Sequence, residues 1–322
     1  MTVNRVGLVL GAGGLPGHAW HCGVLAALAT ETGWDARSAD VIVGTSAGAG
    51  VGAYLRGGIS GEDLYERLHR PGAAVHHDRL QVLSGQVAAP GTAPPDRRRW
   101  RPQAPAVVAR ALLPPWPRPG VVIGALLQQG AVPTTAIGSW TFELHGERWP
   151  DQPLWICAVD LTTGRRTVFG RDPVPVEVPL ATAVEASSAV PGFFRPVVAG
   201  SRRYIDGGMH SPTNADLLAD PDLELDVVIV SSPMSASSGA GRITGRSYHH
   251  RLLEWEASRC RALGSVVVRF EPGRELLPLM NGGRRTRPGD MTAIAEAALR
   301  SVRRHLRRHD VRSRLDELAR TA

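Results

Sequence analysis

Lysine is absent from this 322-residue chain, so its positive charge is all arginine: 37 residues against 30 Asp and Glu, a formal net charge of +7. Beside abundant Ala, Gly and Pro, that bias looks like GC-rich coding rather than selection for one partner. Arginines cluster in RRRWR (97–101) and RRHLRRHDVRSR (303–314). Such a surface could steer anionic substrates or rest on an acidic membrane face as a peripheral contact, and it also fits a plain solvated face. No aromatic-interleaved basic motif accompanies it, so no nucleic-acid partner is expected. Cysteine is scarce: Cys22, Cys157 and Cys260 are odd in number and far apart. They exclude a disulfide framework and point to a reducing, cytoplasmic compartment. No apolar run approaches the ~20 residues that span a bilayer. The opening MTVNRVGLVLGAGG has one Arg and a short apolar run, yet it breaks into glycines about halfway through the length of a signal core. It reads better as a buried strand. The 43% hydrophobic content is ample for a folded core.

What is present alternates strand and helix. RVGLVL (5–10) and DVIVG (40–44) are continuous apolar runs, as strands covered on both faces require. Between them lie a loop, GAGGLPG (11–17), and HCGVLAALATET (21–32) with helical spacing; AGAGVGAYLRGG (47–58) follows as a small-residue helix. Alternation resumes with strands at PLWICAVDL (153–161), RRTVFG (165–170), RRYIDGG (202–208), LDVVIVSS (225–232) and GSVVVRFEP (264–272). Helices are expected at PLATAVEASSAV (179–190), stopped by Pro191, and at YHHRLLEWEASRCRALG (248–264). The expectation is a single α/β domain over 1–322, a three-layer α/β/α arrangement on a central, mostly parallel sheet. A Pro/Arg-rich cap or insertion occupies about 71–150, and an amphipathic helix about 290–310. Trp100, Trp116 and Trp140 in the cap could shape a hydrophobic entrance, touch lipid, or anchor the segment to the core.

The chemistry begins at VIVGTSAGAG (41–50). Gly44-Thr45-Ser46-Ala47-Gly48 satisfies G-x-S-x-G directly after a buried strand and before a helix. A serine on that corner exposes its hydroxyl and sits at the positive end of the helix, which is the setting of a nucleophile. Gly11 and Gly13 begin a dinucleotide fingerprint, but position 16 is Pro and the second strand ends in Gly44 where a ribose-binding acid would stand. That reading fails twice. Glycines at a helix N-terminus still offer free backbone N–H groups to an oxyanion.

A nucleophile needs a base. The late histidines are His210, His249, His250, His305 and His309, and the last four lie in helices rich in Arg or Glu. Asp206, in YIDGGMHSPTNAD (204–216), is the better partner, since it follows a strand end and Gly207 and Gly208 let the backbone pass close to another loop. His76-His77 lacks the spaced partners of a metal site.

Together these elements resemble the patatin-like phospholipase family. Its glycine-rich oxyanion loop, G-x-S-x-G elbow and D-G-[GA] turn fall on Gly11–Gly17, Gly44–Gly48 and Asp206–Gly208. ASSAVPGFFRPV (186–197) is similar to the family's A-S-x-A-x-P-x-x-F segment, and His21-Cys22-Gly23-Val24-Leu25 to the helix after its loop. The resemblance covers the first seventy residues and 153–272, not 71–150. It implies a Ser46–Asp206 dyad acting on lipid or other acyl esters, with backbone N–H groups of Gly13, Gly14 and Leu15 as the oxyanion hole. Gly11, Gly44, Gly48, Gly207 and Gly208 would support that geometry, with no metal and no cofactor. The same dyad could serve a transacylase, and a non-catalytic lipid-binding module remains an alternative. The family usually carries Arg or Lys in the loop, where this chain has Leu15-Pro16. Acyl length, headgroup and oligomeric state are not encoded in these motifs.

Overall fold

A computed structural model describes residues 5–69, 101–112, 114–174, 176–236, 245–280 and 288–307, and the structural statements concern those residues. His76-His77, Trp100 and His309 lie outside them.

Strand β1 (Val6–Leu10) is buried at every residue because it lies between two parallel neighbours, β2 (Val41–Thr45) and β7 (Val227–Ser231). Its side chains alternate between two cores. Leu8 and Leu10 join Ile42 and Ile156 on one face, while Val9 joins Val41, Val43 and Cys157 on the other. Continuous apolar runs are the sequence signature of this double coverage. The sheet runs β5-β6-β3-β2-β1-β7-β8, with β4 attached to β3. Strands β3 (Leu154–Asp160), β2, β1, β7 and β8 (Val266–Phe270) pair in parallel. Strands β4 (Arg166–Phe169), β5 (Val197–Ala199) and β6 (Arg202–Asp206) form the antiparallel end. Helices on both faces complete the expected three-layer α/β/α architecture.

On the first face lie α1 (Gly14–Thr32) and α2 (Ala47–Arg56). Helix α1 is apolar nearly all round, as a helix covered on two sides must be. The C-terminal amphipathic helix, α9 (Pro288–Leu306), supplies its outer cover, setting Ile294, Ala298, Val302 and Leu306 into the core at a four-residue spacing. The two approach so closely that a Cβ at Gly23 would lie 2.1 Å from the Ala295 carbonyl oxygen. On the opposite face α8 (Gly245–Ala262) packs Leu253 and Cys260 against Val9, Val43 and Cys157. Between α2 and β3 run α3 (Gly61–Arg67), α4 (Pro105–Arg110), α5 (Pro119–Leu126) and α6 (Thr135–His145). Helices α4 and α5 each start on a proline, where the missing N–H would have had no helical acceptor. Trp140 of α6 stacks on Tyr54 at 4.0 Å between ring centroids, and Trp116 is exposed. No helix of the described residues is long and apolar enough to cross a membrane.

Strand β3 decides what the fold brings together. Its residues Ile156–Val159 pair with β4 along one edge. Strand β2 pairs with Leu154–Cys157 and β6 with Ala158–Asp160, and both overlap the β4 register. Both must therefore use the remaining edge. Running in opposite directions, β2 ends at Thr45 opposite Cys157, and β6 ends at Asp206 opposite Ala158. Two strands meet head-on along one edge, so the residues at their tips, Ser46 and Asp206, are neighbours although 160 positions apart.

Candidate active site

A single residue turns the chain from β2 into α2. That residue, Ser46, holds φ 54 and ψ −117, a left-handed conformation that non-glycine residues avoid. Such backbone strain costs about 1–3 kcal/mol and persists only where the surroundings enforce it. Here the enforcement is close packing: a Cβ at Gly48 would sit 1.9 Å from the Leu10 carbonyl oxygen, and one at Gly44 2.6 Å from the Ala49 Cα. Only glycine at both sites lets α2 start that close to the sheet. Ser46 occupies the N-cap of α2, where serine ordinarily spends its oxygen on the helix amides, yet it makes no side-chain cap bond. Its hydroxyl lies close enough to the Asp206 carboxylate to favour the ionised form of that group.

Asp206 is 4% exposed and Ser46 6%. Burial is the main influence on the Asp206 carboxyl and raises its pKa to about 6; the hydrogen bond from the Gly208 N–H and the nearby Ser46 hydroxyl pull the other way. The Gly208 amide donates to Oδ1 at 2.7 Å, and the Asp206 amide is held by the Ala189 carbonyl at 3.0 Å. Gly207 lies flat on β3: a Cβ there would stand 2.2 Å from the Cys157 oxygen.

The glycine segment is shorter than the sequence suggests, because α1 begins at Gly14 rather than near His21. Leu15-Pro16-Gly17 form its first turn. Proline fits there because a first-turn N–H has no helical acceptor. Gly11 donates to the Ser231 carbonyl at 3.0 Å, Ala12 to the Pro212 carbonyl at 2.7 Å, and Gly17 to the Gly13 carbonyl at 3.0 Å. These bonds leave the amides of Gly13, Gly14 and Leu15 as the available donors, at the positive end of a 19-residue helix. Gly14 is exposed with φ 58, and nothing lies within 4 Å of where its Cβ would be.

Three supporting residues had no role assigned to them by the sequence. Ser187, in α7 (Leu180–Ser188), accepts from the Ser46 amide at 2.8 Å and donates to the Cys157 carbonyl at 2.7 Å. It bridges the gap in the ladder where β2 leaves β3. His21 bridges the loop to β7: Nε2 is 2.8 Å from the Gly11 carbonyl, which can only accept, so Nε2 carries the proton and Nδ1 accepts from the Ser231 hydroxyl at 2.7 Å. Complete burial lowers its pKa to about 3 and keeps it neutral. Asn214, at φ 52, donates to the Thr45 hydroxyl at 3.1 Å. Its carbonyl accepts from Arg166, whose bidentate pair with Asp216 spans 2.7 and 2.9 Å. The sequence segments HCGVL and ASSAVPGFF contained two of these residues without marking their roles. Of the late histidines, His249 is engaged with the Met234 carbonyl and His250 with Glu271 at 2.8 Å. Two clefts, of about 300 and 640 Å³, open at the N-terminal ends of the strands beside Asp40 and Asp226. That is the opposite end of the sheet from Ser46.

An α/β sheet with a strained serine elbow, an acid in a glycine turn and a donor-bearing helix start defines a class of protein. The chain belongs to the patatin-like phospholipase family, whose sequence model matches residues 8–219. Its curated relatives include uncharacterized NTE family proteins of Mycobacterium bovis and Mycobacterium tuberculosis, each 27% identical over 225 residues. The match takes in 70% of this chain and 48% of those proteins, so the chain spans about half the length of the curated relatives it matches. Solved structures that align with it include VipD from Legionella pneumophila, at TM-score 0.44 and 13% identity over 96% of this chain and 67% of that one. The type III effector protein ExoU aligns at TM-score 0.37 and 17% identity, over 97% and 54%.

Proposed function

We propose that the protein is a serine acyl hydrolase that cleaves carboxylic esters of lipids through a Ser46–Asp206 dyad. The observation that carries this reading is the meeting of an uncapped, strained elbow serine with a buried carboxylate at the facing tips of β2 and β6. Family membership supports the lipid substrate class.

In this reading the substrate carbonyl lies over Ser46 with its oxygen toward the amides of Gly13, Gly14 and Leu15. Asp206 takes the hydroxyl proton as Ser46 Oγ attacks the carbonyl carbon. The oxygen gains negative charge and is held by backbone donors, each typically worth ~3 kcal/mol to the transition state. When the tetrahedral adduct collapses, Asp206 returns the proton to the departing alcohol. Water then attacks the acyl-enzyme as Asp206 accepts its proton, and on collapse Asp206 returns that proton to Ser46 Oγ while the fatty acid leaves. A base with its pKa near 6 is stronger than an ordinary carboxylate and still ionised at neutral pH.

A fluorophosphonate probe with peptide mapping tests the assignment, together with chromogenic esters of graded chain length. Label on Ser46, and hydrolysis lost in Ser46→Ala, is the expected result. Undiminished hydrolysis in Ser46→Ala removes the nucleophile. Lipid binding without label at Ser46 replaces the enzyme with a binding module. Acyl transfer to an added alcohol in preference to water replaces the hydrolase with a transacylase.

A further inference from the structure

We infer that the outward face of α5, with the residues around it, is the surface on which this protein docks to an anionic phospholipid bilayer. The inference rests on the lipid hydrolase reading and names the place where the substrate-bearing surface meets the protein.

Helix α5 reads PGVVIGAL and is apolar on every side, although only one side is covered. Its inner side packs Val121 and Ala125 with Val159 and Ile205. A Cβ at Gly120 would lie 2.3 Å from the Met209 carbonyl oxygen, and one at Gly124 2.9 Å from the Ile205 side chain. The helix therefore rests on the strand and turn that carry Asp206. Among the described residues its other side has no such cover: Ile123 is 56% exposed and Leu127, one turn on, 40%. Leu127 stands beside Gly192, next to exposed Val190, which follows the Ala189 carbonyl that anchors Asp206. Leu112 and Trp116, just before the helix, are 81% and 71% exposed. Water-facing helices normally carry charged residues on the outer side, and an apolar patch of this kind marks an interaction surface.

Charge selects the occupant. From Arg101 to Phe142 the chain holds Arg101, Arg110 and Arg118 and not one carboxylate. Arg101 and Arg110 are exposed, and Arg118 lies over the Trp255 ring at 5.4 Å. Aliphatic residues and a tryptophan on a stretch whose only charges are arginines suit the headgroup–acyl boundary, where apolar groups enter the chains and guanidinium groups pair with phosphates. Docked on this face, the protein has Asp206 one helix thickness from the lipid.

The test separates docking from catalysis by measuring binding on the inactive full-length Ser46→Ala protein. Its partition onto phosphatidylglycerol-containing vesicles is compared with partition onto pure phosphatidylcholine vesicles, by co-sedimentation. Binding is expected to favour the anionic vesicles and to weaken with salt. Adding Ile123→Ser and Leu127→Ser is expected to reduce it about tenfold per residue. In the catalytically intact background the same pair should slow hydrolysis of vesicle-borne lipid while a soluble short-chain ester is turned over at the parental rate, with an unchanged melting temperature. Unchanged partition of the double variant overturns the inference, as does equal binding to both vesicle types. A dimer that dissociates on the double substitution, with no vesicle binding by either form, replaces the bilayer with a second copy. The hydrolase reading fails separately, by activity surviving Ser46→Ala.

Discussion

Replacing Asp206 with Asn should abolish turnover and at the same time make the protein more stable at neutral pH. The two states of the carboxyl give the size of the effect. Burial raises its pKa from 3.8 to about 6, so ionising it costs the folded chain about 3 kcal/mol more than the unfolded chain. Below about pH 4 the group is protonated in both states and sets up no difference. Between about pH 4 and 6 the unfolded chain releases its proton while the folded chain keeps it, so stability falls as pH rises. Above about pH 6 both are ionised and the deficit stays at its full value. Asparagine has the same shape, can accept from the Gly208 amide, and carries no charge to bury. Urea unfolding of parent and Asp206→Asn across this range is the assay. The midpoints should coincide near pH 4 and separate by up to about 3 kcal/mol above pH 6, in the variant's favour. The kcat/KM profile of the parent should lose activity on the acid side with a pKa near 6, not near 4. A variant no more stable than the parent at neutral pH would refute the buried-charge argument, and an acid limb near pH 4 would refute the link between that carboxyl and catalysis.

Gly48→Ala puts a methyl group 1.9 Å from the Leu10 carbonyl oxygen, a backbone atom that cannot yield. It should destabilise by about 3 kcal/mol or more, or prevent folding, as read by soluble yield and thermal melting. Ser187→Ala removes the bridge between the Ser46 amide and the Cys157 carbonyl. It should cost about 1–3 kcal/mol of stability and lower kcat with little change in KM, and Ser187→Thr should recover part of both.

The parallel strands were legible in the sequence because burial on both faces demands continuous apolar runs, and LDVVIVSS has no alternative use. The elbow was legible because it is local: strand, serine and helix are adjacent in the chain. Helix α1 was read seven residues short because Pro16 looked like a loop residue, whereas a first turn accepts proline without losing a bond. The short strand β5 escaped notice, since Val-Val-Ala carries no periodicity. Proximity of Asp206 to Ser46 could be argued from chemical need alone. What brings them together is the register of β2 and β6 on one edge of β3, and non-local pairing of that kind leaves no local trace. Ser187 was visible as the serine of the family-like segment ASSAVPGFFRPV, but its role was not, because its importance comes from the two backbone groups it finds.

The replacement of the family's usual basic loop residue by Leu15-Pro16 bears on charge rather than on the donors. Pro16 stands in a helical turn whose N–H groups have no helical acceptors, so its lack of one removes nothing from the set formed by Gly13, Gly14 and Leu15. The loop is fixed from the other side, by His21 on the Gly11 carbonyl and by Gly11 and Ala12 on the Ser231 and Pro212 carbonyls. None of these contacts involves the side chain at position 15, which packs instead against the core. On the proposed mechanism, the oxyanion geometry is therefore independent of whether residue 15 is basic. The positive charge that a basic side chain would bring into the loop is absent there, while Arg101, Arg110 and Arg118 accompany the apolar surface of α5. On the reading proposed above, selection for an anionic lipid takes place at that surface, before the ester reaches Ser46.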